Sequence, residues 1–467
     1  MDQTHFDLVI IGGGPGGYAA ALYGASAGLD IAVVERDKVG GTCLHRGCIP
    51  AKELLETAAI VRTVQHAGDF GVVVEPRSLD WGTVMARKQA VIDQLAGGVV
   101  GLLKNRKVTI LNGTASLGPG RTVEVVADDG ERATLTGDAV VLASGSVPRT
   151  IPGFEPGGPV VTSDEFFHIG QVPRRSVVIG GGAIGCEFAS TLADLGAEVT
   201  VLEALPKILP GCDEDVTRVV LQAFKKKGID VRTGVAVTGH QPGPDGGTTV
   251  SYGDGEQVAC DLVVVSVGRN PFTQGLLRDG TGVRLTERGH IDVDERYRTG
   301  EPSVWAVGDA INTPQLAHVA FAEAIVVVKD ILGESPAPVD NSRVPWAIYC
   351  NPEVAFAGLS EAAAKEAGLD VVTSRHRFGG NSRAQILGET DGLVKIIALK
   401  RPDGTAGQII GVHMVGPWVT EQLSGGYLAV NWEATVDEVA EFLMPHPSLS
   451  ELFGESVLAM TGRSLHG

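Results

Sequence analysis

The sequence predicts an α/β protein in which a strand, glycine turn and helix unit occurs twice, followed by an α+β domain at the C-terminus. Three observations carry that prediction. Gly12-x-Gly14-x-x-Gly17 follows a run of apolar strand formers, the same pattern returns at Gly180-x-Gly182-x-x-Gly185, and the character of the chain changes after Pro345. A length of 467 residues leaves room for about three domains and a sizeable core.

The first unit begins with Phe6-Asp7-Leu8-Val9-Ile10-Ile11, a buried strand, and passes through the glycines into an Ala-rich helix from Tyr18 to Gly28. A second strand, Ile31 to Val34, ends in Glu35. Glycines let a backbone approach a pyrophosphate, whose charge a helix N-terminus stabilises, and an acid after the second strand can accept hydrogen bonds from ribose hydroxyls. Between Asp7 and Asp30 there is no charged residue, yet the glycines and Pro15 break that stretch, so strand, turn and helix explain it better than a membrane span. With a strand starting near Phe6, no transit peptide fits ahead of it.

The second unit runs Val177-Val178-Ile179, Gly180 to Gly185, a helix to Leu195, and a strand Glu198 to Leu202 ending in Glu203. The acid follows the last glycine by 18 residues in each copy, 17 to 35 and 185 to 203. A ligand-free strand–helix turn would account for one such unit; two with matched acids imply two Rossmann-like dinucleotide-binding domains. Glu203 accepts hydrogen bonds from a 2′-hydroxyl and repels a 2′-phosphate, and Ala204, Leu205 and Pro206 supply no arginine clamp, with Lys207 the only basic neighbour. The second site therefore reads as NAD rather than NADP. The first could hold FAD, which glycine spacing alone does not establish.

Elsewhere, Val140 to Ser146 reads as a buried strand entering a turn, Val147 to Pro159 as a linker, Gln241 to Gly255 as a hairpin tip, and Leu262 to Val267 before Gly268-Arg269 as another strand. After Pro345, strands are expected at 354–357, 371–378, 393–399 and 408–414, and helices at 420–434 and 436–442. Composition is that of an ordinary globular protein, 43% hydrophobic and 20% charged. A net charge of −18 disfavours binding to nucleic acid or anionic membrane.

Six cysteines are too few for a disulfide scaffold in so long a chain. Cys186, Cys212, Cys260 and Cys350 are scattered and read as small buried residues, but Cys43 and Cys48 form a C-x4-C. No second pair is present for zinc, so no metal is expected. Pro50 and the run 51–59 suggest a helix starting at about Cys48, whose N-terminus, with Arg46 and Lys52 nearby, would favour a reactive thiolate. The pair follows the first nucleotide unit directly, which could set it beside that cofactor's reactive ring.

Here the sequence resembles the pyridine nucleotide–disulfide oxidoreductases, and among them the dihydrolipoamide dehydrogenases. The likeness spans nearly the whole chain: Gly12 to Gly17, Gly40 to Lys52, Ala143 to Ser146, Gly180 to Glu187, Val267 to Pro271, Trp305 to Asp309, Leu316 to Ala320 and Met444 to Glu451. It implies an FAD-binding domain in two parts, 1–148 and 271–343, an NAD-binding domain at 149–270, and a C-terminal dimerisation domain at 344–467. On the FAD side it implies Gly12, Gly14, Gly17, Glu35, Thr42 and Lys52, with backbone contacts from Ala115 and Ala317, with Ser144 and Gly145, and with Asp309 on the ribityl chain. Glu187 matches an acid that pairs with Lys52. For NAD it implies Gly180, Gly182, Ala183, Ile184, Gly185, Glu203, Val237, Gly268 and Arg269.

The same resemblance implies a homodimeric cytoplasmic enzyme that oxidises dihydrolipoamide, free or on a lipoyl domain, for a 2-oxo acid dehydrogenase complex or the glycine cleavage system. Cys43 would meet the substrate and Cys48 the flavin. His446, placed beside the other subunit's cysteines, would act as acid–base with Glu451 orienting it. Taken alone, Ser448-Leu449-Ser450-Glu451 also has the form of a helix capping box. Three positions depart from the family: Met444 where a histidine is frequent, Ser144 for threonine, and Ala183 where a larger residue often covers the nicotinamide pocket. The rival readings are a glutathione-reductase-like enzyme using NADPH, a mercuric-reductase-like enzyme, which would carry a C-terminal cysteine pair, and a non-catalytic flavoprotein subunit.

Overall fold

A computed structural model describes residues 4–75, 78–243 and 246–466. The chain forms two compact units, the first from Met1–Leu54, Leu79–Arg149 and Gly268–Asn341, the second from Leu55–Ser78, Thr150–Val267 and Ser342–Gly467.

The first unit is built on a sheet ordered Thr109–Asn112, Ile31–Glu35, His5–Ile11, Arg132–Leu142, with Thr122–Val126 and Thr114–Leu117 added antiparallel and Val304–Ala306 parallel to Arg132–Leu142. The central strands are covered on both faces, so they are continuous runs of β-branched and aliphatic residues. Leu8, Val9 and Ile10 are fully buried, and the uncharged stretch after Asp7 is this strand followed by the helix Pro15–Ser26. Small residues let that helix pack closely: a Cβ on Gly16 would lie 2.8 Å from Val307. Among the described residues no helix is long and apolar enough to cross a membrane.

The second unit contains a parallel sheet ordered Asp230–Thr233, Glu198–Glu203, Arg175–Ile179, Leu262–Val265, Val160–Thr162. Beside it a three-stranded antiparallel sheet runs Val237–Pro242, Thr248–Tyr252, Glu256–Cys260. The stretch 241–255, expected as a hairpin tip, holds a full strand because Thr248, Val250 and Tyr252 alternate inward; residues 244–245 lie outside the described residues. The C-terminal part is a five-stranded antiparallel sheet, Trp346–Ile348, Glu353–Gly358, Ala406–Gly416, Leu393–Lys400, Val371–Arg377, packed by Val419–Asn431, Val436–Ala440 and Glu451–Ala459. Three of the expected strands fall inside the observed ones, and the fourth, 371–378, overruns Val371–Arg377 by one residue, Phe378 opening a 3-10 turn. The last helix follows the capping-box pattern at Ser448–Glu451, whereas the long helix Trp81–Asn105 is not among the expected elements.

Candidate active site

The two glycine turns are built alike. Gly12 has φ +105° and Gly180 φ +104°. Both are the left-handed region that glycine alone enters freely. A Cβ at Gly12 would sit 2.2 Å from Ala143 O, one at Gly180 2.5 Å from Ser266 O, and those at Gly17 and Gly185 would strike the first glycine's carbonyl at 1.8 and 1.9 Å. The middle glycines differ in kind. Gly14 and Gly182 are extended helix N-caps without a side-chain cap or an acid in the first turn, and a Cβ on Gly182 would meet nothing within 4 Å. Open space before an uncapped helix N-terminus fits a pyrophosphate in both units.

Each acid pins its own turn. Glu35 accepts the N–H of Gly13 at 2.7 Å and of Asp37 at 2.9 Å. Glu203 accepts those of Gly181 at 2.5 Å and Leu205 at 2.7 Å. Every carboxylate oxygen keeps a second lone pair for a sugar hydroxyl, so the structural task and the binding task are compatible.

Around the first turn, Gly145 has φ +72°, and the Ser144 hydroxyl is buried with no partner within the protein. Ser146 donates to Asp309 Oδ2 at 2.5 Å and accepts from Arg269 Nε at 2.7 Å, while Arg269 also reaches Ser146 O at 3.0 Å. Gly268 and Arg269 belong to the first unit, where Arg269–Pro271 pairs with Ser146–Pro148. Asp309 lies in the turn Gly308–Ala310, and Gly308 donates its N–H to Glu323 Oε2 at 2.7 Å. Glu323 is 0% exposed, and burial pushes its carboxyl up to about 7. Sequence reasoning passed over Glu323; the signal was an acid amid the apolar run 319–328 of the helix Ala317–Ile331, which Ala317 opens. Ala115 lies buried in the strand Thr114–Leu117.

The cysteines sit on consecutive helices. Thr42 and Cys43 are in Gly41–Arg46, and Cys48 opens Cys48–His66. Both are free thiols. A hydrogen bond with Cys48, then burial, raises Cys43 well above an ordinary thiol, and the charge of Lys52 opposes the shift. Tyr18, from the first glycine helix, is close enough to feel both sulfurs, and burial chiefly pushes its phenol up to about 12. The sequence reading gave Tyr18 no role. Arg46, expected to add charge near the pair, is also ion-paired with Asp37 at 2.7 Å.

In the second unit, Ala183 and Ile184 begin the helix Ala183–Asp194, and buried Glu187 accepts the N–H of Tyr349 at 2.9 Å. Val237 opens the strand Val237–Pro242 of the antiparallel sheet, two residues after Val235, whose N–H donates to Glu203 O at 3.0 Å. His446 Nδ1 lies 2.8 Å from Glu451 Oε1, and Glu451 Oε2 accepts the N–H of Ser448 at 2.7 Å. Burial opposes ionisation of Glu451, but the Ser448 N–H and His446 outweigh it and hold the carboxyl low. Glu451 therefore reaches back to the Ser448 N–H and fixes the imidazole at once. The His446 side chain is 69% exposed, with Phe442 and Leu443 bare beside it in sequence. Among the described residues no His, Cys, Asp and Glu cluster could hold a metal.

The model of the pyridine nucleotide-disulphide oxidoreductases matches residues 6–324, and that of their dimerisation domain residues 344–457. The chain belongs to this family. A dihydrolipoyl dehydrogenase of Bacillus subtilis (strain 168) is 42% identical over 99% of both chains, and one of Thermus scotoductus 37% identical over 99% of this chain and 98% of its own. Among solved structures, LpdA from Mycobacterium tuberculosis superimposes with a TM-score of 0.90 at 26% identity, covering 98% of this chain and 99% of its own. This pyridine nucleotide-disulphide oxidoreductase is an enzyme of the dihydrolipoyl dehydrogenase type, whose cofactors are FAD and NAD. The dimerisation domain makes it a homodimer. Of the three departures, Met444 has a packing reason: its side chain lies against the last helix, where a Cβ on Gly454 would be 2.8 Å away.

Proposed function

We propose that the enzyme oxidises dihydrolipoamide, free or on a lipoyl domain, and reduces NAD through the Cys43–Cys48 pair. The observation that carries this is the contact of the two thiols on consecutive helices directly after the first glycine unit. FAD fits the first turn, with Gly12, Gly14, Gly17 and Glu35 at the pyrophosphate and ribose, Thr42, Lys52, Ala115, Ser144, Gly145 and Ala317 around it, and Asp309 on the ribityl chain. NAD fits the second, with Gly180, Gly182, Ala183, Ile184, Gly185, Glu187, Glu203 and Val237. The bonds of Arg269 to Ser146 and Asp309 favour a supporting role on the FAD side. The domain division at 148, 270 and 343 goes with this reading.

In the oxidised enzyme, His446 takes the proton of one substrate thiol, and the thiolate attacks Cys43 of the disulfide. A substrate–Cys43 bond forms, the Cys43–Cys48 bond breaks, and Cys48 leaves as a thiolate. The second substrate thiolate then attacks its own neighbouring sulfur, closing lipoamide and releasing Cys43. Two electrons have moved to the cysteine pair, and the protons rest on His446 and on the pair. When bound, FAD supplies the two-electron link from the dithiol to NAD. Glu451, held low, orients His446 and stabilises its cation. Bare Phe442, Leu443 and Trp432 in the dimerisation domain are consistent with a subunit face that presents His446 to the other chain. A 2-oxo acid dehydrogenase complex or the glycine cleavage system is the expected destination, in the cytoplasm, where thiols stay reducible.

The test is turnover with dihydrolipoamide against glutathione disulfide, with NAD and NADP as alternatives. Dihydrolipoamide with NAD is expected to dominate. Reduction of glutathione disulfide by NADPH at a greater kcat/KM would overturn the reading.

A further inference from the structure

In the second repeat the chain leaves Glu203 and folds back over its own glycine turn before entering the helix Glu214–Lys226. Leu209 donates its N–H to Gly181 O at 2.7 Å, and Ile208 packs where a Cβ on Gly181 would fall, 2.6 Å away. The first repeat makes the same closure, Gly40 donating to Gly13 O at 2.8 Å. The residue types differ. Gly40 takes φ +108° freely, whereas buried Leu209 is held at φ +50°. A side-chain-bearing residue stays there only when its surroundings over-determine it.

The anchor lies a few residues on. Asp213 caps the helix, accepting the Asp215 N–H at 3.0 Å, and its carboxylate is gripped by Lys395 Nζ at 2.9 and 3.0 Å. Lys395 comes from the strand Leu393–Lys400 of the C-terminal sheet and is 2% exposed. It also meets Asp215 at 2.9 Å and Glu361 at 2.7 Å, and the Glu361 N–H donates to Asp213 at 3.2 Å. Arg218 and Arg375 on Asp215, and Lys365 on Glu361, balance the acids. A lysine so deeply buried persists only when paired on all sides.

We propose that Lys395 is a positioning residue for the second nucleotide site: by anchoring Asp213 it holds residues 204–212 over Gly181, and so sets the affinity for NAD from within the dimerisation domain. This rests on the NAD assignment of the second repeat. The experiment uses the full-length holoenzyme dimer. NADH binding is measured directly by fluorescence, with KM for NAD and for dihydrolipoamide, dimer state and melting temperature alongside. Lys395→Met is expected to weaken NADH on the order of ten-fold and to raise KM for NAD, with KM for dihydrolipoamide unchanged. Asp213→Asn keeps the helix cap and the volume, and is expected to shift NADH affinity the same way by a smaller factor. It decides the matter if Lys395→Met does not fold. Folded dimers of Asp213→Asn, or of both variants, that melt lower yet bind NADH like the parent would show a role in stability alone and overturn the proposal. A parent dimer that binds no NADH removes the NAD assignment itself, a separate and recognisable failure.

Discussion

Replacing Glu323 by glutamine should change how stability depends on pH. The Glu323 carboxyl is wholly buried, and one of its oxygens accepts the Gly308 N–H. Burial raises its pKa from 4.5 to about 7, with Asp309 adding to the shift while Gly308 and Thr313 oppose it. The folded state therefore keeps a proton that the unfolded chain has released. The stability this contributes is fully present below about 4.5 and is lost as pH climbs through about 7. At about 1.4 kcal/mol for each tenfold change in proton affinity, the loss is about 3 kcal/mol, with no discount for solvent because the side chain is 0% exposed. Glutamine accepts the same Gly308 N–H but does not ionise. The assay is denaturant unfolding of parent and Glu323→Gln from pH 4 to 9 at fixed protein and FAD concentrations, so that other titrating groups cancel in the difference. The variant is expected to gain about 3 kcal/mol on the parent between the two plateaus. A difference flat across that window would refute the reasoning.

Three further outcomes are expected. Reduced enzyme should show a long-wavelength thiolate–flavin absorption band that Cys48→Ser abolishes and that Cys43→Ser displays without reduction; a spectrum indifferent to both substitutions counts against the pair. Glu203→Ala should narrow the preference for NAD over NADP, because repulsion of the 2′-phosphate and the hydrogen bond to the 2′-hydroxyl are lost together; comparable efficiency with both cofactors in the parent would contradict the assignment. His446→Gln should cut turnover by roughly 10²–10⁴-fold with FAD retained, and hybrids with Cys43→Ser chains should regain about half the normal activity, since one of two shared sites is then intact. Demonstrated hybrids that stay inactive would refute a shared site.

Local chemistry is legible along the chain. The glycines of both turns, the 18-residue spacing to Glu35 and Glu203, the C-x4-C pair and the His446–Glu451 spacing were legible, because backbone conformation and short spacings are written along the chain. The C-terminal strands showed as short runs rich in β-branched and aliphatic residues. The rest was decided by contacts between residues far apart. Glu323 looks like any helical acid until the fold buries it behind Gly308, Arg46 looks unpaired until Asp37 meets it, and Tyr18 looks like a helix start until it meets the cysteines. Arg269 follows a strand of the second unit in sequence, yet pairs with Ser146 and Asp309 of the first. Lys395 alternates with core residues as an ordinary outward lysine would; only the fold brings Asp213, Asp215 and Glu361 around it. Burial and long-range ion pairing depend on which surfaces meet, and no local pattern carries that information.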